Sequence, residues 1–438
     1  MRRIFRISFA CLCAVLLLNG CALRTVEEMY QIPKRSETEN HLQSAIDTVM
    51  IGLQYAAPVA GENQQTVQMA DLDGDGEEEY LLFAKGNSEL PLQILIFEKN
   101  AEAFSLSARI ESNGSVFEQV EYVNIDGRPG MELVVGKRVS DQVLRSVSVY
   151  TFASGAPEQL MSANYLRFLT CNLISGDSSE LMLIQPGESD NPNGIAVLYW
   201  FREGEMSRSR EAELSRPADS VKRIMVSALE SGEPAVYIAS SMDENAIITD
   251  IFSMKNGKFT NISFSNESGT SVQTMRNYYV YADDMDEDGI LELPSLITMK
   301  PLAQTRVANQ QYLIRWYSMD LHGEESDKMY TFHNFLGGWY MKLDGAWADR
   351  ISVIQEGNRH LFYLWDESFE TPDKIFTVYS FTGENREEDA MLNGCFVLLR
   401  TDSVVYAAKI EEGSLLIAQE NLISAFQLIH IDWKTGET

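Results

Sequence analysis

Cysteine is scarce in this 438-residue chain: there are five, and Cys11, Cys13 and Cys21 lie within the first 21 positions. The remainder keeps only Cys171 and Cys395, both inside apolar strand-like runs (RFLTCNLI and LNGCFVLL). Two distant cysteines exclude a disulfide framework, and two buried thiols are expected. Histidine is equally sparse. His41, His322, His333, His360 and His430 form no HxH, HExxH or Cys-His spacing. Neither a GxSxG elbow nor a Walker loop is present, so no catalytic residue is assigned and the chain is read as a non-enzyme. Positive charge is short as well: 35 Lys+Arg against 64 Asp+Glu leave a net charge of −29. Such a surface repels nucleic acid, which is excluded as a partner.

The one long apolar stretch opens the chain. Arg2, Arg3 and Arg6 precede an apolar run from Ile7 to Leu18, which ends in Leu18-Asn19-Gly20-Cys21. The run is shorter than the ~20 residues that span a bilayer, and its basic start is that of a secretory signal. Leu-x-Gly-Cys at such a point resembles the bacterial lipoprotein box, which implies that residues 1–20 are removed and Cys21 is acylated. An acyl chain there makes the membrane a partner, on the outer face of a Gram-positive-type cell. Residues 21–60 read as a tether and a short amphipathic helix. Leu42, Ala45, Ile46, Val49, Met50 and Leu53 recur at helical spacing without a basic face, so the helix is expected to pack on the protein.

What the chain does have is a repeat. MADLDGDGEEEYLLFAKG near residue 71 and YADDMDEDGILELPSLIT near residue 284 both fit D-x-D-x-D-G-x-x-E followed by an apolar strand. A degraded copy, YVNIDGRPGMELVVGKR, places Asn124 at the first motif position, and the spacing of about 53 residues leads to worn remnants ending in Glu180 and Glu233. About four strand-like runs rich in branched and aromatic residues lie in each interval; in the first they are 80–84, 92–99, 104–111 and 116–123. Four strands in about 50 residues is the signature of a β-propeller blade, and such sheets must stack to bury both faces.

The acidic loops suit calcium, which takes six to eight oxygen ligands. Asp71, Asp73 and Asp75 present carboxylates to one point, Gly76 permits the turn, and the carbonyl of Glu77 and the carboxylate of Glu79 complete the shell. The second loop offers Asp284, Asp286, Asp288, the carbonyl of Ile290, and Glu292. Position 12, the bidentate acid of an EF-hand, is Leu82 in one loop and Ser295 in the other, so neither is an EF-hand. The degraded copy keeps Asn124, Asp126 and Glu132 as a weaker metal site, in which Arg128 at position five offers its own positive charge in place of the cation. The remnants ending in Glu180 and Glu233 are expected to bind no metal.

These motifs resemble the FG-GAP and VCBS-type repeats of integrin-like propellers, and the mature chain resembles clostridial lipoproteins that carry them, over about residues 61–337. The resemblance implies structural calcium and a propeller of about five to seven blades. It implies no ligand. Beyond 337 the acidic loops stop, and residues 338–438 read as a smaller C-terminal α+β domain. Trp339, Trp347 and Trp365 are expected to pack in its core, and Asp366 and Glu367 to end a strand. The expected function is that of a monomeric cell-surface lipoprotein binding a protein or glycan. The alternatives are an envelope hydrolase or lyase acting on polysaccharide or peptide, and a structural subunit of a membrane complex.

Overall fold

The computed structural model describes residues 37–429 apart from 101–102, 140–144, 175, 244–245, 279, 303–310, 393 and 413–416. The leader and Cys21 lie outside the described residues. Among those described, no helix is long and apolar enough to cross a membrane.

Strand accounts for 51% of the described residues and helix for 8%, which settles a mostly-β architecture. Among the described residues, six antiparallel sheets follow helix α1 (Glu37–Val49). The first holds β1 (Gln54–Tyr55), β2 (Val67–Ala70), β3 (Glu79–Lys85), β4 (Leu92–Asn100) and β5 (Ala103–Ser112). The second is the meander β6 (Val116–Val123), β7 (Glu132–Arg138), β8 (Arg145–Thr151) and β9 (Glu158–Tyr165). The third contains β10 (Arg167–Cys171), β11 (Glu180–Gln185), β12 (Ile195–Arg202), β13 (Glu205–Arg208) and the short β14 (Ala212–Glu213). The fourth runs β15 (Val221–Ala228), β16 (Pro234–Ser241), β17 (Ile247–Lys255) and β18 (Lys258–Asn261). The fifth is formed by β19 (Leu293–Thr298), β20 (Tyr312–Met319), β21 (Glu325–Asn334) and β22 (Trp339–Leu343). The sixth takes β23 (Ile351–Glu356), β24 (Arg359–Trp365), β25 (Pro372–Thr382), β26 (Phe396–Arg400) and β27 (Val404–Ile410). Helix α2 (Arg386–Asp389) lies within the sixth sheet's span, and α3 (Gln419–Ala425) leads into β28 (Phe426–Leu428), which returns to pair with β22.

The central strands read as unbroken apolar runs because both of their faces are buried, each by a different neighbour. In β3, Leu81 and Phe83 pack toward the second sheet, while Leu82 packs under α1 with Ile46, Leu95 and Phe97. In β7, Leu133 and Val135 face the first sheet and Val134 the third. In β16, Val236 and Ile238 face the third sheet, and Ala235 and Tyr237 the fifth. This period-2 division stacks the sheets face to face in chain order. Helix α1 covers the free face of the first sheet, as its apolar spacing led us to expect. The free face of the sixth sheet is covered around Ala390, Val405 and Ala407. Among the described residues no buried cluster joins the sixth sheet to the first.

Two expectations from the sequence need correction. First, the acidic loops do not open the sheets: those at 71–79, 124–132 and 172–180 each join two paired strands of one sheet, and that at 284–292 lies between an isolated bridge and β19. The residue before the loop pairs with the glutamate that ends it: Ala70 with Glu79, Val123 with Glu132, Cys171 with Glu180 and Asp283 with Glu292. Sequence repeat and sheet are therefore out of phase by one strand. Second, residue 338 is no boundary. Trp339 begins a strand of the fifth sheet, and it packs with Phe332, Phe362 and Phe426 in one core shared by the fifth and sixth sheets. A cut there would expose that core.

Candidate metal centres at the sheet seams

Four of the loops share one device that is independent of metal. The second loop residue is apolar and buried, and its backbone N–H donates to the carboxylate at position nine. Leu72 donates to Glu79 at 2.8 Å, Ile125 to Glu132 at 2.7 Å, Leu173 to Glu180 at 2.6 Å and Met285 to Glu292 at 2.8 Å. All four glutamates are buried. A buried carboxylate that lost these bonds would be costly, so the glutamate persists even where the other acids are gone. The apolar second position was visible in the sequence (DLD, NID, NLI, DMD) but was not singled out. The copy ending in Glu233 does not share the device. It is a short turn between Ala228 and Pro234, and Glu233 takes its hydrogen bond from Ser231 Oγ.

The loops also touch one another. Met131 N–H donates to the Asp71 carbonyl at 3.0 Å, and Ser179 N–H to the Asn124 carbonyl at 2.7 Å. Gly74 takes φ +79°, and nothing larger fits there: a Cβ would lie 2.4 Å from the Pro129 carbonyl carbon. The loops are thus part of the seam between consecutive sheets.

Two loops gather acids. Carboxylate oxygens of Asp71, Asp73 and Glu79 lie within 4.8 Å of one another, and so do those of Asp284, Asp286 and Glu292. Two oxygens on opposite sides of a calcium ion stand about 4.6–5.2 Å apart, twice the usual calcium–oxygen distance, so both groups fit that ion. Asp71 also orients the turn, accepting from Gly74 and Gly76 N–H. Asp284 does the same with Asp288 and Gly289 N–H. Asp75 and Asp288 lie outside these groups of three, and each accepts the N–H two residues on, from Glu77 and Ile290.

Electrostatics follow from the crowding. Burial pushes Glu79 up to about 7, and the neighbouring aspartates push the same way. Burial, again with help from the aspartates, pushes Glu292 up to about 7. Glu292 is fully buried and its Oε1 has no hydrogen-bond donor, although Oε2 is held by Met285. A buried oxygen without a donor, turned among carboxylates, is chemically incomplete.

The loop at 124–132 differs at each of these points. Thr151 Oγ1 donates to Glu132 Oε1 at 3.0 Å, so both glutamate oxygens have protein donors. The Asn124 amide donates to the Arg128 carbonyl, and Arg128 Nε stands 3.7 Å from Asp126. The protein itself supplies what a cation would.

The remaining candidates resolve as structure. Trp365 is buried, donates through Nε1 to Ser352 Oγ, and has Lys300 Nζ 3.9 Å from its ring centroid. Asp366 closes its own turn, accepting from Ser368, Glu370 and Thr371, and the Ser368 hydroxyl leads these bonds in holding it down at about 2. Trp339 is in the core and Trp347 packs against it. Burial pushes His333 down to about 3 and His360 to about 4. Cys171 is a buried free thiol, whereas Cys395, expected buried, is only half-buried.

No family model matches the sequence, and no curated protein matches it. Solved structures overlap it at low similarity. An exotype rhamnogalacturonan lyase, YesX, is 15% identical with a TM-score of 0.32, covering 76% of this chain and 67% of that one. A rhamnogalacturonan lyase of Bacillus licheniformis is 13% identical with a TM-score of 0.27, covering 74% and 72%. A 6-phosphogluconolactonase-like protein of Bacteroides fragilis is 10% identical with a TM-score of 0.25, covering 75% and 95%. These overlaps are too shallow to carry an activity or an architecture across.

Proposed function

We propose that this protein is a calcium-stabilised scaffold of FG-GAP/VCBS-like propeller blades, exported and held by a lipid on Cys21 at the outer face of the cell membrane. It serves as a non-catalytic module that binds a protein or glycan. The observation that carries the calcium reading is Glu292, a buried carboxylate with one oxygen lacking any donor beside Asp284 and Asp286. Asp284, Asp286 and Glu292 would hold one ion, and Asp71, Asp73 and Glu79 the other. A bound calcium supplies two positive charges to a concentration of negative ones and so locks the loop. Because the loops sit at the seams between sheets, the ion's role is structural. Antiparallel sheets of four or five strands stacked face to face in chain order support the blade reading.

The test is thermal unfolding of the full chain with calcium and with chelator. Calcium at about a hundred times its dissociation constant stabilises by about 2.7 kcal/mol per site. Substitution of Asp71→Asn and Asp284→Asn together is expected to abolish the difference. An unfolding temperature indifferent to calcium in the unsubstituted protein would sink the reading. For the binding role, a pull-down from envelope extract is expected to recover a partner that chelator releases; no enrichment over a charge-matched control argues against it.

A further inference from the structure

The two acidic loops have different neighbours. Lys328, on β21, reaches across to the second of them. Its Nζ lies 3.7 Å from Asp288 Oδ2 and 2.8 Å from Glu230 Oε2. Glu230 belongs to the turn between β15 and β16, and Ser318 Oγ donates to the same Oε2 at 2.6 Å. A second ammonium, Lys342 Nζ, donates to the Met285 carbonyl at 3.0 Å. Around the loop at 71–79 no lysine or arginine forms an ion pair with Asp71, Asp73, Asp75 or Glu79 among the described residues.

We infer that Lys328 sets the calcium affinity of the loop at 284–292, making it the weaker of two unequal sites, with the loop at 71–79 filling first. The inference rests on the calcium reading above. Lys328 is held in place by Glu230, a residue of the preceding sheet, so its charge stays beside Asp288 whether or not an ion is present. An incoming dication at Asp284, Asp286 and Glu292 meets a fixed positive charge beside the same loop, 3.7 Å from Asp288. Repulsion of this kind at a partly solvated site corresponds to about tenfold in affinity. Lys342 donates to a main-chain carbonyl and, among the described residues, forms no ion pair with the loop's carboxylates. The fourth and fifth sheets are further joined here by Ser227, whose Oγ donates to the Gly289 carbonyl and accepts from Leu291 N–H. Filling of the weaker site is therefore read directly at that seam.

The test is calcium titration calorimetry on the full chain, one loop at a time. Asp71→Asn isolates the second loop and Asp284→Asn the first. The isolated first loop is expected to bind about tenfold more tightly. Adding Lys328→Met to the Asp71→Asn protein is expected to raise its affinity by about tenfold, and Lys328→Gln gives the same result should the methionine variant fold poorly. Lys328→Arg, which keeps the charge, is expected to leave the affinity where it was. Equal affinities of the two isolated loops, or no change on neutralising Lys328, overturn the inference while leaving the calcium reading intact. Absence of binding in both isolated loops overturns the calcium reading itself, and the role of Lys328 with it.

Discussion

The loops at 71–79 and 124–132 are neighbours on consecutive sheets and share one backbone plan, yet they solve the same electrostatic problem in opposite ways. Each buries a glutamate at position nine and ties it to the N–H of position two. In the second, Thr151 and Arg128 complete the surroundings from within the protein. In the first, three aspartates crowd the glutamate instead and push it up to about 7 after burial has done most of the work. The difference teaches that the glutamate marks the fold of the loop, and that the donors available to its other oxygen and to its neighbours decide whether an ion is needed.

The largest expected effect sharpens the contrast through pH. Glu79 and Glu292 have folded-state pKa values of about 7 against an ordinary 4.5, so folding favours their protonated forms. In chelator the protein should be most stable near pH 4.5 and lose stability as pH rises through 7, by on the order of 3 kcal/mol per carboxyl. Calcium should remove that slope, because the ion stabilises the charged forms. Urea unfolding at pH 5 and pH 8, with and without calcium, checks the sign. A metal-free protein that grows more stable toward pH 8 breaks the comparison.

Next comes Glu132→Ala. It strands the N–H groups of Ile125 and Asp126 and the hydroxyl of Thr151. A loss of about 3 kcal/mol is expected, equal in calcium and in chelator, since no ion shares the work. A calcium-dependent loss would place metal in that loop. Gly74→Ala should cost about 2 kcal/mol by driving a methyl into the Pro129 backbone and forcing a side chain to φ +79°. Its damage belongs to the seam, so hydrogen exchange should quicken in both loops together.

The smallest effect concerns position four. Gly74 and Gly127 take left-handed conformations there, and in the loop at 284–292 the same place is filled by Glu287 at φ +66°. Glu287→Gly should therefore stabilise by up to about 1 kcal/mol, measured by urea unfolding in chelator. No gain would mean that the loops are not conformational equivalents.

Much of this was legible in the sequence. The acidic spacing located the loops, the period located the worn copy ending in Glu180, and apolar spacing found α1 packed on the protein. What escaped was long-range. Whether the strand before a loop belongs to the same sheet as the strand after it depends on pairings such as Val123 with Glu132, which no local pattern specifies. The supposed boundary at 338 failed because β28 comes back from residue 426 to complete the fifth sheet. Thr151 and Lys328 lie 19 and 40 residues beyond the loop acids they contact, Glu132 and Asp288, and nothing in their own sequence neighbourhoods marks them. Glu233 satisfied the period but not the geometry, because its loop is too short to bring a position-two N–H to it.

The most direct test of the central claim is a count of bound ions by native mass spectrometry across a calcium titration of the full chain. Two calcium ions per chain are expected, one after either Asp71→Asn or Asp284→Asn, and none after both. A chain that takes up no calcium at millimolar concentration, or a doubly substituted chain that still retains an ion, contradicts it.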